Sequence, residues 1–506
     1  MNGAIKNLPF FVVLMGLGAV SMLVPAAHGA IVEDFVTMRI FFYGAILFSM
    51  LTLLIALATA GRHPSNLARS QLMTLVAGFT ILPLMFAVPF AEASILFNYF
   101  DAWFEMVSSF TTTGATLTNQ PSDLTPSLHL WRATVAWMGG FMIWVSAIAI
   151  FAPMNLGGFE VRAWPQSQQM TRIRNVHISQ KIDPSERLFR FSVDFAPIYI
   201  GLTSILWLGL LVAGEDATVA LIHAMSTLST SGISSIGGLS EGQSAIIGEV
   251  LILVFLAFAI SRLTFSSGIF GEEDGPILKD AEVRVAAILV AGTSFALFAA
   301  HFFGSVDGEV SRISDALRAL WGSFFTVVSY LTTTGFVSAS WEGATVWSGL
   351  KTPGLVLVGL VLIGGGVATT AGGVKLLRVY ALFRHSEREM DRLLHPSSIG
   401  GGGKEARRIR RQGAYISWIF FMLLAISLSA VMVLLSLTGI TFENAMVLSI
   451  AALSTTGPLA ETAAQVPISY SSLPDTARLI LAAAMVLGRL EALALIALFN
   501  PDFWRK

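Results

Sequence analysis

The chain has 506 residues, 54% of them hydrophobic and 12% charged, and its mean hydropathy of +0.72 excludes a soluble globular protein of ordinary make-up. It reads as a polytopic membrane protein, for which the placement of 31 Lys and Arg and 32 Asp and Glu along the chain says more than the net charge of -1. With no cysteine, neither disulfides nor thiolate metal sites are available, and no His-Glu-x-x-His or phosphate-binding glycine loop suggests an enzyme.

The first apolar run, about residues 8–27, follows Lys6 and ends in Pro25-Ala26-Ala27, a small-residue end also compatible with a signal peptide. A second run over about 37–60 then finishes at Arg62, His63 and Arg69, which mark a cytoplasmic turn. Next come a span at about 71–90, a short helix at about 98–110 and a returning span at about 130–152. A basic segment with Arg162, Arg172, Arg174, Lys181, Arg187 and Arg190 leads to spans at about 189–212 and 246–266, with Glu215, Asp216 and Glu241 between them on the outer side. After a short inner loop, a span at about 283–303 precedes a short helix at about 314–331 and an apolar stretch from about 346 to 383. That stretch is too long for one span at 1.5 Å per residue, and Gly364-Gly365-Gly366 and Gly372-Gly373 predict that it is unwound in the middle. The most basic segment, 375–411, includes Arg384, Arg388, Arg392, Lys404, Arg407, Arg408, Arg410 and Arg411; spans at about 414–437 and 477–499 and the tail Trp504-Arg505-Lys506 complete the chain. This arrangement of ten spans puts every strongly basic loop, and both termini, on the cytoplasmic side.

One pattern recurs through this succession. Ser108-Ser109-Phe110-Thr111-Thr112-Thr113-Gly114-Ala115 returns as Ser229-Thr230-Ser231-Gly232-Ile233, Thr332-Thr333-Thr334-Gly335-Phe336 and Ser454-Thr455-Thr456-Gly457-Pro458. The four glycines are separated by 118, 103 and 122 residues, so a whole structural unit is repeated. A single Thr-Thr-Gly is usually a turn or a helix-packing element; four at this spacing predict four re-entrant loops. Irregular backbone at membrane depth is tolerated only where it is buried in protein or lines a watery cavity, so the four turns are expected around one pore. Backbone carbonyls of Thr112, Thr113 and Gly114, of Thr230, Ser231 and Gly232, of Thr333, Thr334 and Gly335, and of Thr455, Thr456 and Gly457 are the candidate ion ligands, the glycines allowing the chain to turn its carbonyls inward. Scattered outer acids, among them Glu92, Asp123, Glu215, Asp216 and Glu461, are candidates for raising the local cation concentration. His223 with Ser226 is the nearest approach to a nucleophile–base pair and is read as a pore-helix pair without catalytic work.

Over roughly residues 70–506 the chain resembles the TrkH/KtrB/HKT superfamily of potassium transporters, TrkH type. The four turns carry the resemblance, together with the stretch from Ile363 through Gly364, Gly365, Gly366, Thr369, Thr370, Gly372 and Gly373 to Lys375 and the tail from Leu487-Gly488-Arg489-Leu490-Glu491 through Arg505. It implies an all-α integral membrane protein with four covalently linked helix–pore-loop–helix units around one pseudo-fourfold pore and two extra N-terminal transmembrane helices. The corresponding division is 1–68 for those two helices, then 69–157, 158–268, 269–395 and 396–506 for the pore units. Potassium uptake across a bacterial inner membrane, with K+ as the transported ion and no organic cofactor, is the implied function, and glycine in all four turns favours potassium over sodium. The resemblance also implies a homodimer with a pore in each protomer and a cytoplasmic nucleotide-binding regulatory subunit of the TrkA/KtrA type; the basic segments are also suited to anionic membrane lipid. Arg489, buried in an apolar run, needs either a structural partner or a place facing the pore. By resemblance it faces the pore below the turns and forms a gate with Gly364, Gly365, Gly366, Thr369, Thr370, Gly372 and Gly373. The reading from another class is a sodium- or proton-coupled secondary transporter, whose broken helices would hold substrate near the midplane.

Overall fold

The computed structural model describes residues 9–59, 67–152, 157–161, 184–261, 280–304, 313–350, 352–395, 411–464 and 466–490. Within these the chain is helical, and seven helices are long and apolar enough to cross a membrane by length and composition. The basic residues at 162–181 and 404–410, and the tail with Glu491 and Trp504-Arg505-Lys506, lie outside the described residues.

The N-terminal apolar runs form α1 (Phe10–Ser21), α2 (Leu23–Ile31) and α3 (Phe35–Thr59). They pack on α4 (Leu67–Ala93) and α6 (Pro126–Ser146) through rings that meet edge to face, Phe41 and Phe86 each lying on Trp131 with centroids 5.3 and 5.6 Å away. His28 of α2 reaches further, its ring nitrogens hydrogen-bonding the hydroxyls of Ser127 (2.8 Å) and Thr218 (3.1 Å). In lipid no hydrophobic effect separates helices from tails, so such packing and interhelical hydrogen bonds are what hold the bundle together.

Four shorter helices end inside the protein: α5 (Tyr99–Phe110), α8 (Ala217–Ser229), α11 (Ile313–Leu331) and α16 (Phe442–Leu453). Local sequence starts two of them. The Asn98 side chain accepts the Asp101 N–H at 2.9 Å, and Asp216 accepts those of Thr218 and Val219, satisfying donors that the first turn leaves open. Flanking them are α7 (Pro184–Val212), α9 (Ala245–Leu256), α10 (Ala281–Gly304) and α15 (Arg411–Leu437).

The long third-repeat stretch is broken, as its glycines predict, but it starts later than the expected 346. A separate helix α12 (Trp341–Ser348) stops where Gly349 adopts a left-handed φ of +64°, and the apolar helix proper, α13 (Gly354–Ile363), follows. Chain without helix then runs from Gly364 to Lys375, after which α14 (Leu376–Leu394) resumes. The last described helix, α17 (Asp475–Leu490), carries Arg489 in its final turn.

Candidate functional site

Each of α5, α8, α11 and α16 ends in the same backbone figure. The residue closing the turn donates its N–H five residues back to the helix: Thr113 to Ser108 (2.8 Å), Ser231 to Ser226 (3.0 Å), Thr334 to Ser329 (2.9 Å) and Thr456 to Ala451 (2.8 Å). Between them sits a threonine in the left-handed region, with φ of 55° at Thr112, 54° at Thr230, 56° at Thr333 and 55° at Thr455. This closes a helix end as a glycine usually does, yet a β-branched side chain there is an outlier costing about 1–3 kcal/mol. Four identical outliers at four repeats mark a conformation held by its surroundings. Sequence reasoning assigned the unusual backbone to the glycines alone; the threonines two residues earlier share it, and the repeated Thr at that position was the available signal.

The turns come together in a circuit. A Cβ on Gly114 would collide with the Ser231 carbonyl oxygen, one on Gly232 with that of Thr334, one on Gly335 would lie 2.9 Å from Pro458 Cγ, and one on Gly457 would strike Ala115. First meets second, second meets third, third meets fourth and fourth meets first. Gly114, Gly232 and Gly335 have φ of +73°, +65° and +86°, so both space and conformation require glycine there. All twelve residues of the candidate ion-ligand set lie in this circuit and, apart from partly exposed Gly114 and Gly232, are buried. The hydroxyls of Thr112 and Thr455 have no protein hydrogen-bond partner among the described residues. The short helices aim their C-terminal ends, where unpaired carbonyls give partial negative charge, at these turns.

Buried side chains brace the chain beyond each turn. Glu105 accepts from the Thr116 hydroxyl (2.9 Å) and the Leu117 N–H (2.5 Å) and pairs with Arg132 at 2.9 Å. His223 bonds the Ser234 hydroxyl at 2.9 Å, whereas Ser226 bonds Ser231 at 3.1 Å, so His223 and Ser226 do not act on one another. Glu249 accepts from Trp321 Nε1 (2.6 Å), the Ser338 hydroxyl and the Ala339 N–H (2.7 Å). Tyr470 donates its hydroxyl to the Gly457 carbonyl at 3.0 Å. Of these braces only His223 was singled out from sequence, and not as a brace; Glu105, Glu249 and Tyr470 were not, because an isolated acid or aromatic in an apolar run carries no spacing signal. Glu215, one of the outer acids, is likewise engaged internally: it caps the Gln243 and Ser244 N–H groups and takes the Ser244 hydroxyl at 2.7 Å. Burial pushes its carboxyl up, but these hydrogen bonds outweigh that and hold it below the usual glutamate range.

Residues 364–375 lie against the turns. Gly372 donates its N–H to the Thr333 hydroxyl (2.7 Å), and a Cβ there would strike the Ser454 carbonyl; Thr370 donates to the Leu228 carbonyl at 3.2 Å. Arg489 Nη1 donates to the Thr370 carbonyl at 2.7 Å, while its Nε and Nη2 are buried without a partner among the described residues. Gly488 lets this happen: a Cβ would collide with the Leu453 carbonyl, so only glycine brings α17 against the end of α16 and sets Arg489 beneath it. The base of the loop is anchored by Gly366 N–H to Ala259 (2.9 Å), Val367 N–H to Glu282 (2.8 Å), Val374 N–H to Leu362 (2.9 Å) and Thr369 hydroxyl to Gly366 (2.7 Å). Gly364 and Gly373, both with positive φ, pack backbone to backbone, and Gly365 fits against Ala259. The sequence-derived candidates thus form two groups in contact, the ring of turns and the loop with Arg489.

Residues 282–506 match the family described as TrkH, cation transport protein. The Trk system potassium uptake protein TrkH of Escherichia coli strain K12 is 28% identical over 441 residues, covering 87% of this chain and 86% of that protein. The protein of the same name from Halomonas elongata is 29% identical over 467 residues, covering 88% and 89%. The crystal structure of the potassium transporter TrkH from Vibrio parahaemolyticus superposes with a TM-score of 0.81 over 99% of both chains at 23% identity, which establishes the likeness of fold.

Proposed function

We propose that this chain, a relative of the TrkH cation transport proteins along most of its length, takes up potassium across a bacterial inner membrane through the ring of four turns. The observation that carries the reading is the closed circuit of glycine contacts with one shared backbone figure at every turn. An ion entering such a ring exchanges water oxygens for carbonyl and hydroxyl oxygens of similar number, without a fixed carboxylate that would hold it too tightly. Glu105 and Glu249 fit this scheme because hydrogen bonds and an ion pair occupy them behind the turns.

Residues 364–375 and Arg489 act together as the gate. With the loop against Thr333, Leu228 and Ser454, the inner end of the ring is covered, and the guanidinium places a positive charge where a cation would leave. Opening consists of withdrawing the loop while α13 and α14 swing about its glycines. The names of the relatives speak of a Trk system, which supports assembly with other components. The assembly proposed is a homodimer with a cytoplasmic nucleotide-binding subunit of the TrkA/KtrA type docked on the basic segments and both termini in the cytoplasm, where those segments also contact anionic lipid.

The test is growth of a potassium-uptake-deficient bacterium at low external potassium, followed by isotope flux into vesicles containing the purified protein. Rescue, and flux driven by a potassium gradient alone, are expected. Failure of rescue by a well-expressed protein would overturn potassium uptake, and flux strictly tied to a second ion would replace the channel-like pore with a coupled carrier.

A further inference from the structure

The fourth turn departs from the other three in a way that singles out Tyr470. Gly114, Gly232 and Gly335 have positive φ, but Gly457 does not. In the first and third turns the glycine N–H points back to its own helix, Gly114 to Ser108 and Gly335 to Ser329, each at 3.4 Å. Gly457 instead donates across the ring to the Thr113 carbonyl at 2.6 Å. Its own carbonyl accepts the Tyr470 hydroxyl. The sequence supplies a cause: Pro458 follows Gly457 where Ala115, Ile233 and Phe336 follow the others, and a residue before proline is pushed toward extended conformations.

The other braces act elsewhere. Glu105, His223 and Glu249 hold residues two to four positions beyond the glycine, whereas Tyr470 holds the glycine carbonyl itself. Tyr470 is 3% exposed, its ring lies 6.2 Å from that of Phe104 on α5, and Asn119 grips the neighbouring hydroxyls of Ser469 and Ser471 at 2.8 Å each. The phenol is therefore fixed by the first repeat while it holds the fourth.

We infer that Tyr470 is a specificity-determining positioning residue for ion selection, clamping the seam between the fourth and first turns. The inference rests on the reading of the four turns as the ion pathway. Two carbonyls at this seam, those of Thr113 and Gly457, already accept hydrogen bonds from the protein, which weakens them as ligands and keeps them from closing inward. Weaker, spaced oxygens suit the larger potassium ion; stronger, mobile ones can close on sodium. Withdrawing the phenolic O–H frees the Gly457 carbonyl in strength and in movement.

The experiment measures potassium and sodium uptake separately in vesicles containing the full chain, for the unaltered protein, Tyr470→Phe and Gly114→Ser, with thermal unfolding of each. Tyr470→Phe keeps the ring against Phe104 and is expected to lower the potassium-to-sodium ratio about threefold or more, the size expected when one neutral hydrogen bond is withdrawn. Asn119→Ala, which loosens the same clamp from an exposed position, is expected to shift the ratio the same way by less, and serves if Tyr470→Phe does not fold. An unchanged ratio in Tyr470→Phe or its substitute, alongside a changed one in Gly114→Ser, would overturn the inference and leave the ring reading standing. So would a lowered melting temperature with an unchanged ratio, since Tyr470 would then be only a structural brace. Unchanged ratios in all variants would bring down both.

Discussion

Arg489→Ala is the most informative perturbation of the proposed gate. Three hydrogen bonds tie residues 370–372 to other elements: Arg489 to the Thr370 carbonyl (2.7 Å), Thr370 to Leu228 (3.2 Å) and Gly372 to Thr333 (2.7 Å). The first has a charged donor and is the strongest kind of the three, with a net contribution of about 1.5–3 kcal/mol. Removing it shifts the equilibrium between covered and open ring toward open by roughly 10- to 150-fold, because about 1.4 kcal/mol is a factor of ten. Loss of the positive charge beneath the ring works in the same direction. The substitution should not unfold the protein, because a guanidinium with two unpartnered nitrogens in an apolar setting is costly to keep. Isotope flux into vesicles, without any cytosolic partner, is therefore expected to rise at least tenfold, with the potassium-to-sodium ratio unaltered because the turns are untouched. A folded Arg489→Ala protein whose basal flux is unchanged or lower would refute the gate and make the contact with Thr370 a structural tie.

Other consequences follow from the same geometry. Gly114→Ser puts a Cβ into the Ser231 carbonyl and is expected to lower the potassium-to-sodium ratio of measured flux while uptake of both ions persists. Arg132→Ala leaves Glu105 buried without its ion-pair partner and is expected to cost about 3–5 kcal/mol, read as a drop in melting temperature in detergent. Glu215 has a depressed pKa in the folded protein, so its stabilisation is present above the usual glutamate range and is lost only as the pH falls through its lower folded value. A loss of protection of the Gln243 and Ser244 amides on acidification, measured against the intrinsic exchange rate at each pH and abolished in Glu215→Gln, is the expected signature. Neutralising Arg407, Arg408, Arg410 and Arg411 is expected to weaken, and added salt to weaken further, the capture of a cytosolic nucleotide-binding partner.

The repeats were legible because each turn needs small residues at fixed offsets, and such needs survive as spacing. The break in the third repeat was legible for a related reason, since Gly364, Gly365, Gly366, Gly372 and Gly373 in one apolar stretch are incompatible with continuous helix. What escaped was mostly long-range. Glu249 holds Ala339, ninety residues on, and Arg132 meets Glu105 only because α5 and α6 are packed together. A charge in an apolar run announces that it has a partner without naming it, and for Arg489 the sequence left open whether that partner was an acid, a carbonyl or the pore. The start of α13 was misplaced because α12 and the left-handed Gly349 interrupt what reads as one apolar run. The left-handed threonines escaped for the opposite reason: propensity argues against them, and only the enclosing ring makes them tolerable.

The four unlike braces behind the turns have an evolutionary corollary. In a ring built from four separate copies of one chain, any altered residue is altered four times at once, so small steps in ion preference are hard to take. Here Glu105, His223, Glu249 and Tyr470 are independent loci, so a change at one of them alters the backing of a single turn while the other three keep theirs.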